Sequence, residues 1–317
     1  MKITRLLLLN FLLLSSLPLT ALEEVIVLGR EAGWDRLRHD GTMLAGRGFR
    51  GFSDILLRDA AYERDTRTDL LLHFDAPPRP PALVSRVSAE PGGILWEMEP
   101  NYRIYPENIG AESDIRVFGT GSALFSAPSS RIRLEPQPGA LFYPGSDWLD
   151  FTVEFWLYPA ETESRQEILS WEGTTLPEEW GSLPRRQELS CSLGGNRLSW
   201  SFTNVFRPQG LEAFSLDLAG SRELLPRRWH HHMVRFDSAT GLLEYLVDGI
   251  LEDYAYANFQ NREADTVFLP FLGSAGPKAL SIGNGLSGFL DELRISSSFR
   301  SQGPPTSYED RQGTVLF

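Results

Sequence analysis

The chain has 317 residues, enough for one large β domain or two smaller ones. Its 30 Lys and Arg stand against 42 Asp and Glu, a formal charge of −12 with the arginines dispersed among the carboxylates. That balance excludes nucleic acid as a partner, because phosphate binding needs clustered cations. The lone Cys191 excludes an internal disulfide.

The N-terminus reads as a secretory signal peptide over residues 1–21. Lys2 and Arg5 precede an apolar run from Leu6 to Leu14, followed by Ser15, Ser16, Pro18 and Ala21. The run is shorter than the roughly 18 to 20 residues of a membrane span, so no stable span is expected after cleavage. An exported protein follows, placed in the periplasm, on the cell surface or in the medium, with a bacterial envelope as the expected setting. Residues 22–66 mix arginines, glycines and acids without alternation and form an N-terminal extension.

From Asp69 short strand signals recur. Asp69 to Asp75 reads as a strand ended by the Pro-rich run 77–81. In Phe151 to Tyr158, residues Phe151, Val153, Phe155 and Leu157 share a face, which predicts a core strand. Leu189, Cys191 and Leu193 alternate, as do Leu198, Trp200 and Phe202, and Gly194-Gly195-Asn196 between them predicts a hairpin. A second hairpin is predicted from Leu242 to Tyr254 across Asp248-Gly249. Phe289 to Ile295 is the last strong strand, and 299–317 is a Ser-, Gly- and Pro-rich tail. With no sustained helical repeat, the pattern predicts an all-β, antiparallel two-sheet sandwich over residues 67–298.

Four segments then resemble one family when taken together and in order. They are Gly119-Thr120-Gly121-Ser122-Ala123-Leu124-Phe125, Phe151 to Pro159, Trp229 to Asp237 leading to Val247-Asp248-Gly249, and Ile282-Gly283-Asn284 with Gly288 to Ile295. This order is similar to laminin-G-like domains of the concanavalin A-like lectin and glucanase superfamily. The resemblance implies a jelly roll of one convex and one concave sheet, and no single function.

Each candidate site has a structural alternative. His230-His231-His232 suggests a metal, but neighbours on a strand point to opposite faces and no further ligands lie nearby in sequence. Asp291 is expected on the apolar face with Phe289, Leu293 and Ile295, where its charge needs compensation. The resemblance implies either hydrogen bonds from loop backbone or a structural Ca²⁺, with Asp75, Asp147 and Asp150 as further ligands. Trp180, Trp171 and Phe206 are the candidate ligand-binding aromatics, Trp180 being expected in an exposed loop; core packing is the alternative for each.

No strand carries the alternate carboxylates that glycoside hydrolysis on this fold uses, Glu97-Met98-Glu99 being cut off by Pro100. No Gly-x-Ser-x-Gly elbow occurs either. The expected function is a non-catalytic exported module that binds a glycan or a protein surface, with no cofactor required beyond a structural Ca²⁺. The alternatives are a structural component of the envelope and, behind it, a divergent glycoside hydrolase.

Overall fold

The computed structural model describes residues 60–75, 94 and 99–300, except 182, 209, 211, 264 and 277–278. The segment expected to be a signal peptide, the expected extension up to residue 59, the Pro-rich run, Glu97-Met98 and the tail from residue 301 lie outside the described residues.

Two antiparallel sheets face each other, with strands numbered in chain order. The first runs β14 (Ile250–Tyr256), β13 (Leu242–Val247), β12 (His230–Asp237), β6 (Phe151–Pro159), β17 (Gly288–Ser296), β4 (Ser122–Phe125) and β3 (Ile109–Glu112). The far side of β17 is shared, with β4 on its first half and β1 (Thr68–Leu72) on its second. The second sheet runs β11 (Ser215–Ala219), β9 (Arg197–Thr203), β8 (Arg186–Gly194), β7 (Gln166–Thr174), β16 (Leu280–Ile282), β5 (Arg131–Pro136) and β2 (Tyr102–Glu107). A short ribbon pairs β10 (Phe206–Arg207) with β15 (Leu269–Pro270). There is no helix among the described residues, and hence none long and apolar enough to cross a membrane.

Side chains alternate across a strand, so one face of each sheet builds a single core. From the first sheet come Phe151, Val153, Phe155 and Leu157, with Val234 and Phe236 on the neighbouring strand; from the second come Leu189, Cys191, Leu198, Trp200 and Phe202. Phe155 lies 6.3 Å from Trp200 and Phe151 6.3 Å from Phe202, which locks sheet to sheet. Each such buried side chain contributes about 1.5–3 kcal/mol. Both predicted hairpins form, and their turn residues Gly195, Asn196, Asp248 and Gly249 all take positive φ.

β17 departs from simple alternation. Its register against β6 shifts between Asp291 and Arg294, and Glu292 sits at φ 49°. Leu290, Leu293 and Ile295 therefore enter the core, whereas Asp291 pairs with Trp156, whose side chain faces outward, and Arg294 pairs with outward Glu154. The expected placement of Asp291 beside Leu293 and Ile295 is thus corrected: the bulge inserts one residue and changes the phase of the strand.

Candidate functional site

The outer faces of the two sheets differ in kind. On the first sheet the outward residues are buried. Glu154 (1 % exposed) accepts from Arg294 at 2.6 and 2.7 Å and lies 3.4 Å from His231. Burial raises the Glu154 carboxyl, but the His231 hydrogen bond and the Arg294 charge outweigh it and hold the group at about 2. Arg235 and Glu244 form a second pair at 2.8 Å, both 0 % exposed. Two segments meet on this face. Tyr62 lies under the Arg294 guanidinium at 4.2 Å and donates its backbone N–H to Glu292, so residues just before 67, expected in the extension, pack on the sheet. Phe299 lies beside Arg235 at 4.5 Å, the Arg300 N–H donates to Thr152, and Arg300 forks onto Asp65 at 3.1 Å.

The outer face of the second sheet is open, and its outward positions carry small hydroxyl side chains. Reading across the strands, Asp217 stands opposite Ser201, Ser201 opposite Ser190, Ser190 opposite Ser170, and Ser170 opposite Ser281. Ser281 then faces Arg133, which faces Tyr105 and places its guanidinium 4.4 Å from that ring. Beside this row Ser192 and Ser199 hydrogen-bond to each other at 3.3 Å. Because serine is short, the floor dips into a depression of about 290 Å³ lined by Ser190, Ser192, Ser199, Ser201, Leu193, Gly194 and Arg165. Glu172 and Glu188 also stand opposite each other on this face, bridged by Arg186 at 3.0 and 3.5 Å.

The aromatics singled out in the sequence do not lie on this face. Trp171, Trp180 and Phe206 are 2 %, 3 % and 0 % exposed. For Trp180 the expected exposure is corrected: the Glu179 carboxylate accepts the N–H groups of Leu176 and Ser274, which folds the loop back and turns the indole inward, with Arg185 5.1 Å from the ring. Phe206 fills the core between Phe202 and Phe236, and Trp171 overlies Gly173, where a Cβ would come within 2.3 Å of the indole.

The three histidines diverge. His230 bonds Asp248 and His231 faces Glu154, while His232 is buried against Tyr245 and Phe155, with burial driving its pKa down to about 3.

Two of the four candidate metal ligands come to one loop. Asp291 Oδ2 accepts the N–H groups of Val117 and Phe118 at 2.8 and 3.2 Å, and the Asp75 carboxylate accepts from Thr120. Burial pushes the Asp291 carboxyl up to about 8 against those amides, and Glu292 adds to the rise. Asp147 and Asp150 lie elsewhere: Asp147 pairs with Arg207 at 3.1 Å, and Asp150 caps the turn at Ser238. Asp150 precedes β6 six residues before Trp156, the partner of Asp291, which places it about 20 Å along the strand. Among the described residues no three acidic, His or Cys side chains cluster as a metal site.

Two facing antiparallel sheets around a single core are the architecture of a concanavalin A-like domain. The chain belongs to the concanavalin A-like lectin/glucanases superfamily, whose laminin-G-type family matches residues 138–303, more than half of its length. Among solved structures it is similar to the binding domain of botulinum neurotoxin serotype G, with 14 % identity, a TM-score of 0.45, and coverage of 74 % of this chain and 48 % of that one. It is also similar to the receptor binding domain of the neurotoxin mosaic serotype C/D, with 13 % identity, a TM-score of 0.43, and coverage of 74 % and 48 %. The chain thus spans about half the length of these structures. Comparison with curated proteins gives no match.

Proposed function

We propose that this is the binding module of an exported protein, without catalytic activity, and that it makes contact through the open outer face of the second sheet. The observation that carries this reading is the contrast between the two outer faces. Glu154, Met233, Arg235, Glu244 and Leu246 are all at most 1 % exposed on one, whereas a depression on the other is lined by the half-buried Ser192, Ser199 and Ser201, with Ser190 at 8 % exposure among them. A sheet face with a shallow polar depression suits a glycan or a protein surface, and the first 21 residues supply the export signal. The test is a Ser201→Trp variant, which fills the depression, compared with the unmodified chain on a glycan panel and against envelope extracts. Loss of binding with unchanged thermal stability supports the reading; a retained ligand shows that contact lies elsewhere.

A structural Ca²⁺ belongs to the same reading. Asp75 and Asp291 supply carboxylate oxygens to the loop 117–120, the hard oxygen donors that Ca²⁺ prefers, and loop carbonyls would complete its six to eight ligands. The ion would offset the charge of buried Asp291 and tie the loop to β17. Asp147 and Asp150 have no part in it.

A divergent glycoside hydrolase is the second reading, favoured by the Glu172–Glu188 pair on the open face. Release of reducing sugar from a bound glycan, abolished by Glu172→Gln or Glu188→Gln, would establish it in place of the first.

A further inference from the structure

We infer that Ile55, Leu56 and Leu57 dock on the outer face of the first sheet as an apolar strap over Met233, Leu246 and Leu251. The strap continues the contact that Tyr62 makes and is independent of the open face of the second sheet.

The first observation is burial beyond the reach of the contacts already described. Met233 on β12 and Leu246 on β13 stand opposite each other on the outward side, both 0 % exposed, and form an apolar cluster separate from the core. Among the described residues, the apolar side chain packed against them is the partly buried Leu251, which faces Leu246 from β14. Outward side chains of a sheet reach such burial only beneath a second layer. Part of that layer is in view, since Tyr62 meets His231 at 6.4 Å and Phe299 meets Arg235 at 4.5 Å. Both contacts are to β12, whereas Leu246 lies one strand further out.

The second observation is the direction of the chain. Thr68 of β1 pairs with Ser296 of β17; upstream of it, Tyr62 donates its N–H to Glu292 of β17, passes Arg294 at 4.2 Å and reaches His231 of β12, two strands away. Each step toward the N-terminus thus leads toward β13 and β14. The next large apolar side chains in that direction are Leu57, Leu56 and Ile55. Five extended residues span about 16 Å. Leu246 is about 8 Å from His231, two residues along the strand and one strand across. Because Tyr62 is already fixed on the sheet, the segment is held at high effective concentration over the patch, and apolar surface on both sides leaves water.

The C-terminal tail is the competing occupant, and its path disfavours it. Arg300 turns back to Asp65 at 3.1 Å and to Ser296 at 2.8 Å, away from β13. The tail's apolar group, Val315-Leu316-Phe317, follows only after Gly303-Pro304-Pro305 and a polar stretch.

The experiment is cross-linking of the full chain. Leu251→Cys, at the margin of the patch, is combined in turn with Ile55→Cys, Leu56→Cys, Leu57→Cys, Val315→Cys and Leu316→Cys. Each variant is treated with a short bis-maleimide and mapped by proteolysis and mass spectrometry. The native thiol does not compete, because Cys191 is 0 % exposed and burial pushes its pKa up. Positions 55 to 57 sample both sides of an extended segment, so an unfavourable register at one is offset by its neighbour. The expected result is an intramolecular link from at least one of these three, at least tenfold more abundant than any link from 315 or 316. Ile55→Asp combined with Leu57→Asp should uncover Met233 and Leu246, raising the fluorescence of an apolar dye several-fold, whereas Ile55→Leu combined with Leu57→Ile should not. Links from 315 or 316 in place of 55 to 57 assign the cover to the tail and overturn the inference. Links between chains assign it to a second copy and overturn it too. So does the absence of any link from 55 to 57, or dye fluorescence unchanged by the aspartates.

Discussion

Glu154→Gln tests whether the covered face of the first sheet is held together electrostatically. Glu154 is 1 % exposed and accepts two bonds from Arg294, so the substitution keeps the shape of the side chain and removes its charge. The carboxyl falls from its usual 4.5 to about 2, and at about 1.4 kcal/mol per pKa unit this corresponds to about 3 kcal/mol of stability. Because the folded pKa is depressed, that contribution is complete above pH 4.5 and is lost as the pH falls through 2. The variant also leaves Arg294 buried without its counter-charge, a loss of about 3–5 kcal/mol in comparable pairs. Urea unfolding followed by tryptophan fluorescence, from pH 7 down to pH 2.5, should show the variant less stable by about 3 kcal/mol at pH 7, with the gap narrowing below pH 4.5. A loss under about 1 kcal/mol, or a gap that does not change with pH, would refute the reasoning. Glu154→Leu combined with Arg294→Met should recover much of the loss, since a well-packed apolar pair replaces a buried ionic one at little cost.

Other substitutions probe the remaining parts. Trp180→Ala removes a buried indole and should cost about 3–5 kcal/mol in chemical unfolding, yet leave glycan titrations of the folded protein unchanged. Calcium at about a hundred times its dissociation constant should stabilise the chain by about 2.7 kcal/mol in thermal unfolding. Asp291→Asn should abolish that shift and Asp147→Asn should not; no shift in the unmodified chain would remove the ion from the proposal. Gly283 has φ 79°, and a Cβ there would lie 2.0 Å from the Phe125 ring, so Gly283→Ala should destabilise by about 2 kcal/mol or more in the same assay.

The sandwich was legible because its core strands alternate strictly and its two hairpin turns use Gly, Asn and Asp where positive φ is needed. Phe151 to Leu157 shows this directly: the inward phase read from the sequence is the one that enters the hydrophobic core. Asp291 was misplaced because a one-residue bulge at Glu292 leaves no mark in the local pattern, and it reverses the phase of every side chain after it. Trp180 was misplaced for another reason. The loop around it looked exposed, but the Glu179 carboxylate pins it through Ser274, 95 residues away. The serine row was half visible. Ser190, Ser192, Ser199 and Ser201 are the outward partners of alternations whose inward residues were read correctly. Their union with Ser170 and Ser281 depends on strand order, which sequence spacing does not encode.

The bidentate contact between Asp65 and Arg300 fixes how the module is mounted as well as how it folds. It joins the segment that leads into the sandwich to the one that leads out, both on the covered sheet. One ion pair thus holds the first and last described segments of the sandwich to each other, so Arg300→Ala releases both from the same sheet at once.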